Sequence, residues 1–330
     1  MVFARLEAIM KRVGLDGYMM LLILTVLLAT FLPARGDFAA VLSHVTFWAV
    51  ALLFFLYGSK LSTATIISGF ANWKLQLSVL SCTFAVFPLL ALVMKPLAGL
   101  WLSGTIGIGF LFIGCMPSTV QSSIAFTSMS NGNVAGAVCA ASVSNLVGVV
   151  LSPLLFALLM PPGVGYDIEA SAIWKIMQQI MLPFVVGQLC RPLLAEFLNR
   201  HKLPITIVDR GSILLIVYSA FSAGVVNGIW QVISAQAFAI LVGLCIVFLV
   251  LAMAITIGTA KAGRMNRADL LALFYCGSTK SLATGLPMAG ILFAGQDISL
   301  IILPLMLFHL IQLVGCAIIA QRSAAYTPTG

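Results

Sequence analysis

The chain has 330 residues, of which 62% are hydrophobic and 8% charged, with a formal net charge of +8. A typical soluble domain carries about 25% charged residues, and so few charges cannot cover a water-facing surface, so a soluble globular protein is excluded. The surplus of Lys and Arg would point to nucleic acid in a soluble chain; here it falls between apolar runs, as loop charge does in a membrane protein, and no nucleic-acid partner is expected.

At the N-terminus, Val2, Phe3, Leu6, Ile9, Met10 and Val13 recur at helical spacing with Arg5, Lys11 and Arg12 among them. Segment 1–16 reads equally as a short interfacial helix or as a loose amphipathic tail. Ten apolar runs follow, at 17–32, 38–58, 73–94, 104–130, 134–160, 170–190, 208–229, 235–260, 268–294 and 298–320. A helix of about 20 apolar residues crosses a bilayer, so the chain is expected to be an all-α polytopic membrane protein with ten transmembrane helices. The first run is not read as a signal peptide, because its removal would unbalance the repeat described below. Residues 321–330 form a C-terminal tail.

Charge orients these spans. With the N-terminus inside, thirteen Lys and Arg fall on the cytoplasmic side and three (Arg35, Lys95, Lys175) on the other. Both termini are therefore expected in the cytoplasm. The seven cysteines all fall inside apolar runs, which argues against a disulfide framework or a zinc cluster.

The fourth run is interrupted by Cys115-Met116-Pro117-Ser118-Thr119 and the ninth by Cys276-Gly277-Ser278-Thr279, with Ser118 and Ser278 160 residues apart. Gly132-Asn133 and Gly295-Gln296 follow at a spacing of 163. The chain thus reads as two five-helix repeats, 17–160 and 161–320. Five being odd, the halves sit in opposite orientations, and inverted repeats with a broken helix at the same place in each half mark secondary transporters. In hydrocarbon an unwound stretch is tolerated only where protein, water, ion or substrate satisfies its backbone, so the two breaks are read as a site.

Ionisable residues sharpen that reading. All nine carboxylates lie in loops or at span ends, which leaves Lys280, His309 and His44 inside the spans. A lysine at a span centre is costly and usually faces a cavity or a partner. His309, with Gln312 one turn along the same face, is a candidate proton carrier, or a neutral side chain bonding across helices. His44 begins a span and reads as structural. Gly132 and Gly136 form a GxxxG pair that reports close helix packing.

Taken in order along the chain, Phe84 to Pro88, Met116-Pro117-Ser118-Thr119, Ser122-Ser123, Asn131-Gly132-Asn133-Val134, Ser152-Pro153-Leu154-Leu155, Leu182-Pro183 with Gly187, and Gly277 to Ala283 resemble the bile acid:sodium symporter family. The resemblance is nearest to its solute carrier family 10 member 7-like subgroup with its bacterial relatives, which implies a bacterial inner membrane, and it covers essentially the whole chain. It implies a core of spans 3–5 and 8–10 holding two broken, crossing helices. A panel of spans 1, 2, 6 and 7 would pack against that core. Substrate would bind between the two, and the core would move like an elevator.

The family's sodium sites are not reproduced. Sodium-coupled members carry Glu-x-Gly-x-Gln-Asn at the second crossover, where this sequence reads Tyr275-Cys276-Gly277-Ser278-Thr279-Lys280. The Ser-Asn pair of the first crossover becomes Ser122-Ser123, Ala137 and Ala141 stand where hydroxyls are expected, and Thr83 replaces a glutamine. Hard cations need several oxygen ligands, so ordinary sodium binding is expected to be lost. Lys280 offers a replacement, its ammonium donating to half-helix carbonyls and to Ser118, Thr119, Ser122 or Thr279. Alternatively it gives up its proton during the cycle.

The expected substrate- and ion-contacting set is Thr83, Ser118, Thr119, Ser122, Ser123, Gly277, Ser278, Thr279 and Lys280, with Lys280 and His309 as possible proton carriers. No catalytic set, metal or cofactor is expected. The leading function is a secondary transporter for a small amphipathic organic anion, bile-acid-like or a carboxylated metabolite, not coupled to sodium through the usual sites. The rival is a non-transporting membrane regulator or sensor on the same fold. An enzyme lacks its residues, and a channel lacks a charged ring or filter. Oligomeric state is left open.

Overall fold

A computed structural model describes residues 17–60, 72–160, 181–226, 228, 233–293 and 298–325. Segment 1–16, the first part of the sixth run, Gly295-Gln296 and the end of the tail lie outside the described residues.

The helices are α1 Gly17–Phe31, α2 Gly36–Lys60, α3 Trp73–Ser81, α4 Phe87–Trp101, α5 Gly104–Cys115, α6 Gln121–Met129, α7 Val134–Leu159, α8 Leu182–Arg200, α9 Lys202–Val226, α10 Ala235–Ala262, α11 Arg267–Ser278, α12 Leu282–Leu292 and α13 Ser299–Ala325. Their starts follow from the sequence. Asn72, Ser103, Asn133, Ser234, Asn266 and Ser281 each stand one residue before a helix, and each side-chain oxygen accepts from a first-turn N–H. Six spans are long and apolar enough to cross a membrane among the described residues: Gly36–Ser59, Trp73–Trp101, Val134–Leu159, Leu203–Val226, Ala235–Ala262 and Ser299–Ser323. The protein is an all-helical, multi-pass membrane protein.

Three helices run past the expected ends of their spans, the tenth taking residues 321–325 from the expected tail, and the seventh begins at Lys202 rather than 208. The third continues through Pro96 to Trp101, and the sixth through Pro192 to Arg200. A proline removes one N–H and crowds one carbonyl, which an apolar span tolerates when neighbouring groups resatisfy the backbone. Between α3 and α4 the chain makes a π-helical turn, Cys82–Val86.

The helices pack in two groups. Helices α1, α2, α8 and α9 contact one another; α3–α7 and α10–α13 form the second set, and α9 reaches across to α12 and α13. Within the second set the halves that lead into the breaks are closely enclosed. Every residue of α5 from Ile106 to Cys115 is buried, as is every residue of α11 from Leu271 to Ser278. A helix that is apolar all round belongs inside a bundle rather than against lipid. The turn after α6 docks on the start of α11, where Asn133 N donates to Ala268 O (2.9 Å) and Asn133 Nδ2 to Asp269 Oδ1 (2.6 Å). Gly132 and Gly136 serve close packing, as expected: a Cβ on Gly136 would lie 2.6 Å from Leu75 Cδ2. The cysteines are free thiols, all buried except the half-buried Cys190.

Candidate functional site

The two breaks lie against each other. The first comprises residues 116–120 and the second 279–281. Ser281 N of the second break donates to Pro117 O of the first at 2.8 Å, and Ser118 Oγ donates to Cys276 O, an end carbonyl in the last turn of α11, at 2.6 Å. On the first strand, Ser118 N donates to Ser144 Oγ (3.1 Å), and Asn145 Nδ2 donates to Ser118 O (2.7 Å). The ninth span breaks three residues later than the sequence suggested. Gly277 is still helical, and its missing side chain serves packing, since a Cβ there would lie 2.9 Å from Thr256 Cγ2 and 3.3 Å from Cys82 Cβ. The helix stops after Ser278 because Thr279 turns to extended backbone and Ser281 caps the next helix.

Beside the crossing, three hydroxyls close a triangle. Thr119 Oγ1 and Ser123 Oγ are 2.7 Å apart, Thr119 Oγ1 and Thr279 Oγ1 2.9 Å, and Ser123 Oγ and Thr279 Oγ1 2.8 Å. Tyr275 O accepts from Thr279 (2.8 Å) and Ser123 (3.2 Å). Replacing Thr279 with valine keeps the shape and removes a shared hydroxyl. The expected cost is about 1–3 kcal/mol, read as a lower melting temperature of the detergent-purified protein; Ser122→Ala is expected to stay within about 0.5 kcal/mol.

Lys280 is wholly buried in the second break. Its Nζ donates to Met116 O at 2.6 Å, Thr83 O at 2.9 Å and Gly114 O at 3.1 Å, and sits 4.0 Å from the centroid of the Phe87 ring. Three N–H bonds are an ammonium's full complement, and the ring face adds a cation–π contact. Gly114 and Met116 supply carbonyls at the C-terminal end of α5, the negative end of its dipole. Thr83 O is free for a different reason. In the π turn the Phe87 N–H bonds Cys82 O, and the next residue, Pro88, has no N–H to offer. The cage is therefore three carbonyls that helix geometry leaves without donors.

Several expected contacts fall elsewhere. The lysine ammonium bonds carbonyls, and none of Ser118, Thr119, Ser122 or Thr279 is among its partners. Thr83 takes part through its backbone, while its hydroxyl is buried without a partner among the described residues. Ser278 Oγ turns back to Phe274 O (2.5 Å), and Ser122 is half-buried outside the network. His309 Nδ1 lies 3.2 Å from Lys280 O and 2.9 Å from Gln312 Nε2, at the lysine's backbone rather than its amine. Gly114, Phe87, Asn145 and Ser144 were not singled out from the sequence. The orphaned Thr83 carbonyl did leave a signal, in the proline five residues downstream.

Two apolar helices broken at one crossing, inside a multi-pass all-helical bundle, are an arrangement that membrane transporters use. The model of the SBF-like CPA transporter family matches residues 16–325, and the chain belongs to that family. PA2026 of Pseudomonas aeruginosa is 47% identical over 309 residues, covering 94% of this chain and 93% of that protein. YfeH of Escherichia coli is 45% identical over 309 residues, covering 93% and 92%. Sodium/bile acid cotransporter 7 of Danio rerio is 28% identical over 316 residues, covering 93% of each. The resemblance to the bile acid:sodium symporters read from the motifs is thereby established.

Proposed function

We propose that this protein is a secondary transporter of a small amphipathic organic anion, bile-acid-like or a carboxylated metabolite, in which the Lys280 ammonium takes the place of a dissociable sodium ion. The observation that carries the reading is the cage of three carbonyls and one ring face closed on Nζ. A cation tethered there neutralises the end of α5 permanently, so the crossing needs no sodium to hold together. Its positive charge, with the N-terminus of α6, which has no side-chain cap, favours an anion near the breaks. The name of the Danio rerio relative speaks of sodium and bile acid, which supports the anion class; the loss of carboxylate and amide at the second crossover separates this chain from sodium coupling.

The wider architecture follows the same reading. Ten spans form two inverted five-helix repeats, 17–160 and 161–320, with both termini cytoplasmic in a bacterial inner membrane. Helices α1, α2, α8 and α9 make the panel, and the second set makes the core, which moves as an elevator against it. Ser118, Thr119, Ser123 and Thr279 hold the crossing, and substrate meets the core between the two units.

The test is a melting screen of purified protein against cholate, taurocholate and short carboxylates, with sodium and pH varied. An organic anion is expected to raise the melting temperature saturably, equally in sodium and in choline buffer, and Lys280→Met is expected to abolish that rise. Saturable stabilisation by millimolar sodium alone would contradict sodium independence. Uptake of the stabilising anion into proteoliposomes then separates transport from sensing without transport.

A further inference from the structure

Lys280 lies in unwound chain, so its own N–H and C=O have no helical partners. Both are taken by one side chain from another helix. Gln312 on α13 is fully buried; its Oε1 accepts from Lys280 N at 2.8 Å, and its Nε2 donates to Lys280 O at 2.8 Å. A carboxamide used in this way pairs with a peptide group as a neighbouring strand would, filling a donor and an acceptor together. The second Nε2 proton faces His309 Nδ1 at 2.9 Å, so the amide's orientation is fixed from both sides.

The consequence is geometric. A lysine side chain has four rotatable bonds and loses much rotamer freedom when it is held in one place. Its ammonium reaches Thr83, Gly114 and Met116 together only if the backbone that launches it is held still. Neither helix flanking the break does that, because α11 ends two residues before Lys280 and α12 begins two residues after it.

We propose that Gln312 is the positioning residue of the tethered cation: by clamping the Lys280 peptide to α13 it keeps the ammonium in its carbonyl cage and keeps free cations out. This rests on the tethered-cation reading above, and it adds that the cage opens when the clamp is removed, even with Lys280 intact. In Gln312→Leu both clamp bonds are lost, the ammonium leaves the cage part of the time, and a small free cation competes for the carbonyls.

The experiment compares wild type, Gln312→Leu, Gln312→Met and Lys280→Ala in detergent, melting each with and without ammonium chloride and methylammonium chloride at constant ionic strength. Gln312→Met is the second variant should the leucine protein fail to fold, since its unbranched chain fills the space of the amide and makes neither clamp bond. The wild type is expected to shift by less than about 1 °C. Both Gln312 variants are expected to gain roughly 3 °C or more from ammonium, and Lys280→Ala at least as much. Loss of packing alone would lower all melting points without creating this dependence. If Lys280→Ala responds and the Gln312 variants do not, the positioning role is overturned while the tethered cation stands. If Lys280→Ala also fails to respond, the cage is not a cation site, and both readings fall.

Discussion

Lys280→Met is expected to destabilise the protein by about 3–5 kcal/mol, because three buried carbonyls lose their donor at once. The methionine fills the space of the lysine stem and leaves Thr83 O, Gly114 O and Met116 O facing a thioether. Lys280→Ala leaves room instead, so its melting temperature is expected to recover with ammonium or methylammonium, whereas that of Lys280→Met is not. Arginine is not a conservative replacement here. A guanidinium presents a planar fork, while the cage asks for three donors spread around one nitrogen over an aromatic ring. Melting curves of the three variants in detergent, with and without ammonium, check all of this. Equal stability of Lys280→Met and wild type would remove the reason for calling the amine a tethered ion.

Gly58→Leu is expected to cost at least about 3 kcal/mol, and to lower the yield of folded protein. A Cβ on Gly58 would lie 2.0 Å from Phe184 O, and one on Gly187 would lie 2.0 Å from Phe55 O. Each of α2 and α8 thus presses a glycine onto a backbone carbonyl of the other, and no side-chain rotation can relieve such a clash. Ser59 Oγ reinforces the crossing by donating to Gly187 O at 3.1 Å. Gly187→Ala is expected to behave similarly. Gly243→Ala, at a helical site with nothing within 4 Å of the added Cβ, is expected to be neutral or slightly stabilising. Thermal melts of the three variants decide. A small effect at Gly58 would mean that α2 and α8 separate easily in the membrane.

How much of the site the sequence shows depends on which atoms do the work. Lys280 stands out because a charge deep in an apolar run has no cheap place to go, and the 160-residue spacing of Ser118 and Ser278 marks the paired interruptions. Ser123 and Thr279 are legible as hydroxyls beside a break, and the structure joins them with Thr119 in one triangle. Ser122 and Ser278 look the same in sequence, yet they point elsewhere, because the helical turn that carries each decides its direction. His309 is similar: its Nδ1 accepts from Gln312 Nε2 beside the lysine's main chain, away from the lysine's charge.

Composition, run length and the placement of charge therefore determined by themselves that this is a multi-pass helical membrane protein and which spans break. Those are local matters, settled by the cost of putting polar groups into hydrocarbon. Only the tertiary structure decided what the buried ammonium holds. Its partners are main-chain carbonyls, which every residue carries and no sequence advertises. They are free to accept only because α5 ends, a π turn meets Pro88, and the two breaks fold onto one another from opposite halves of the chain.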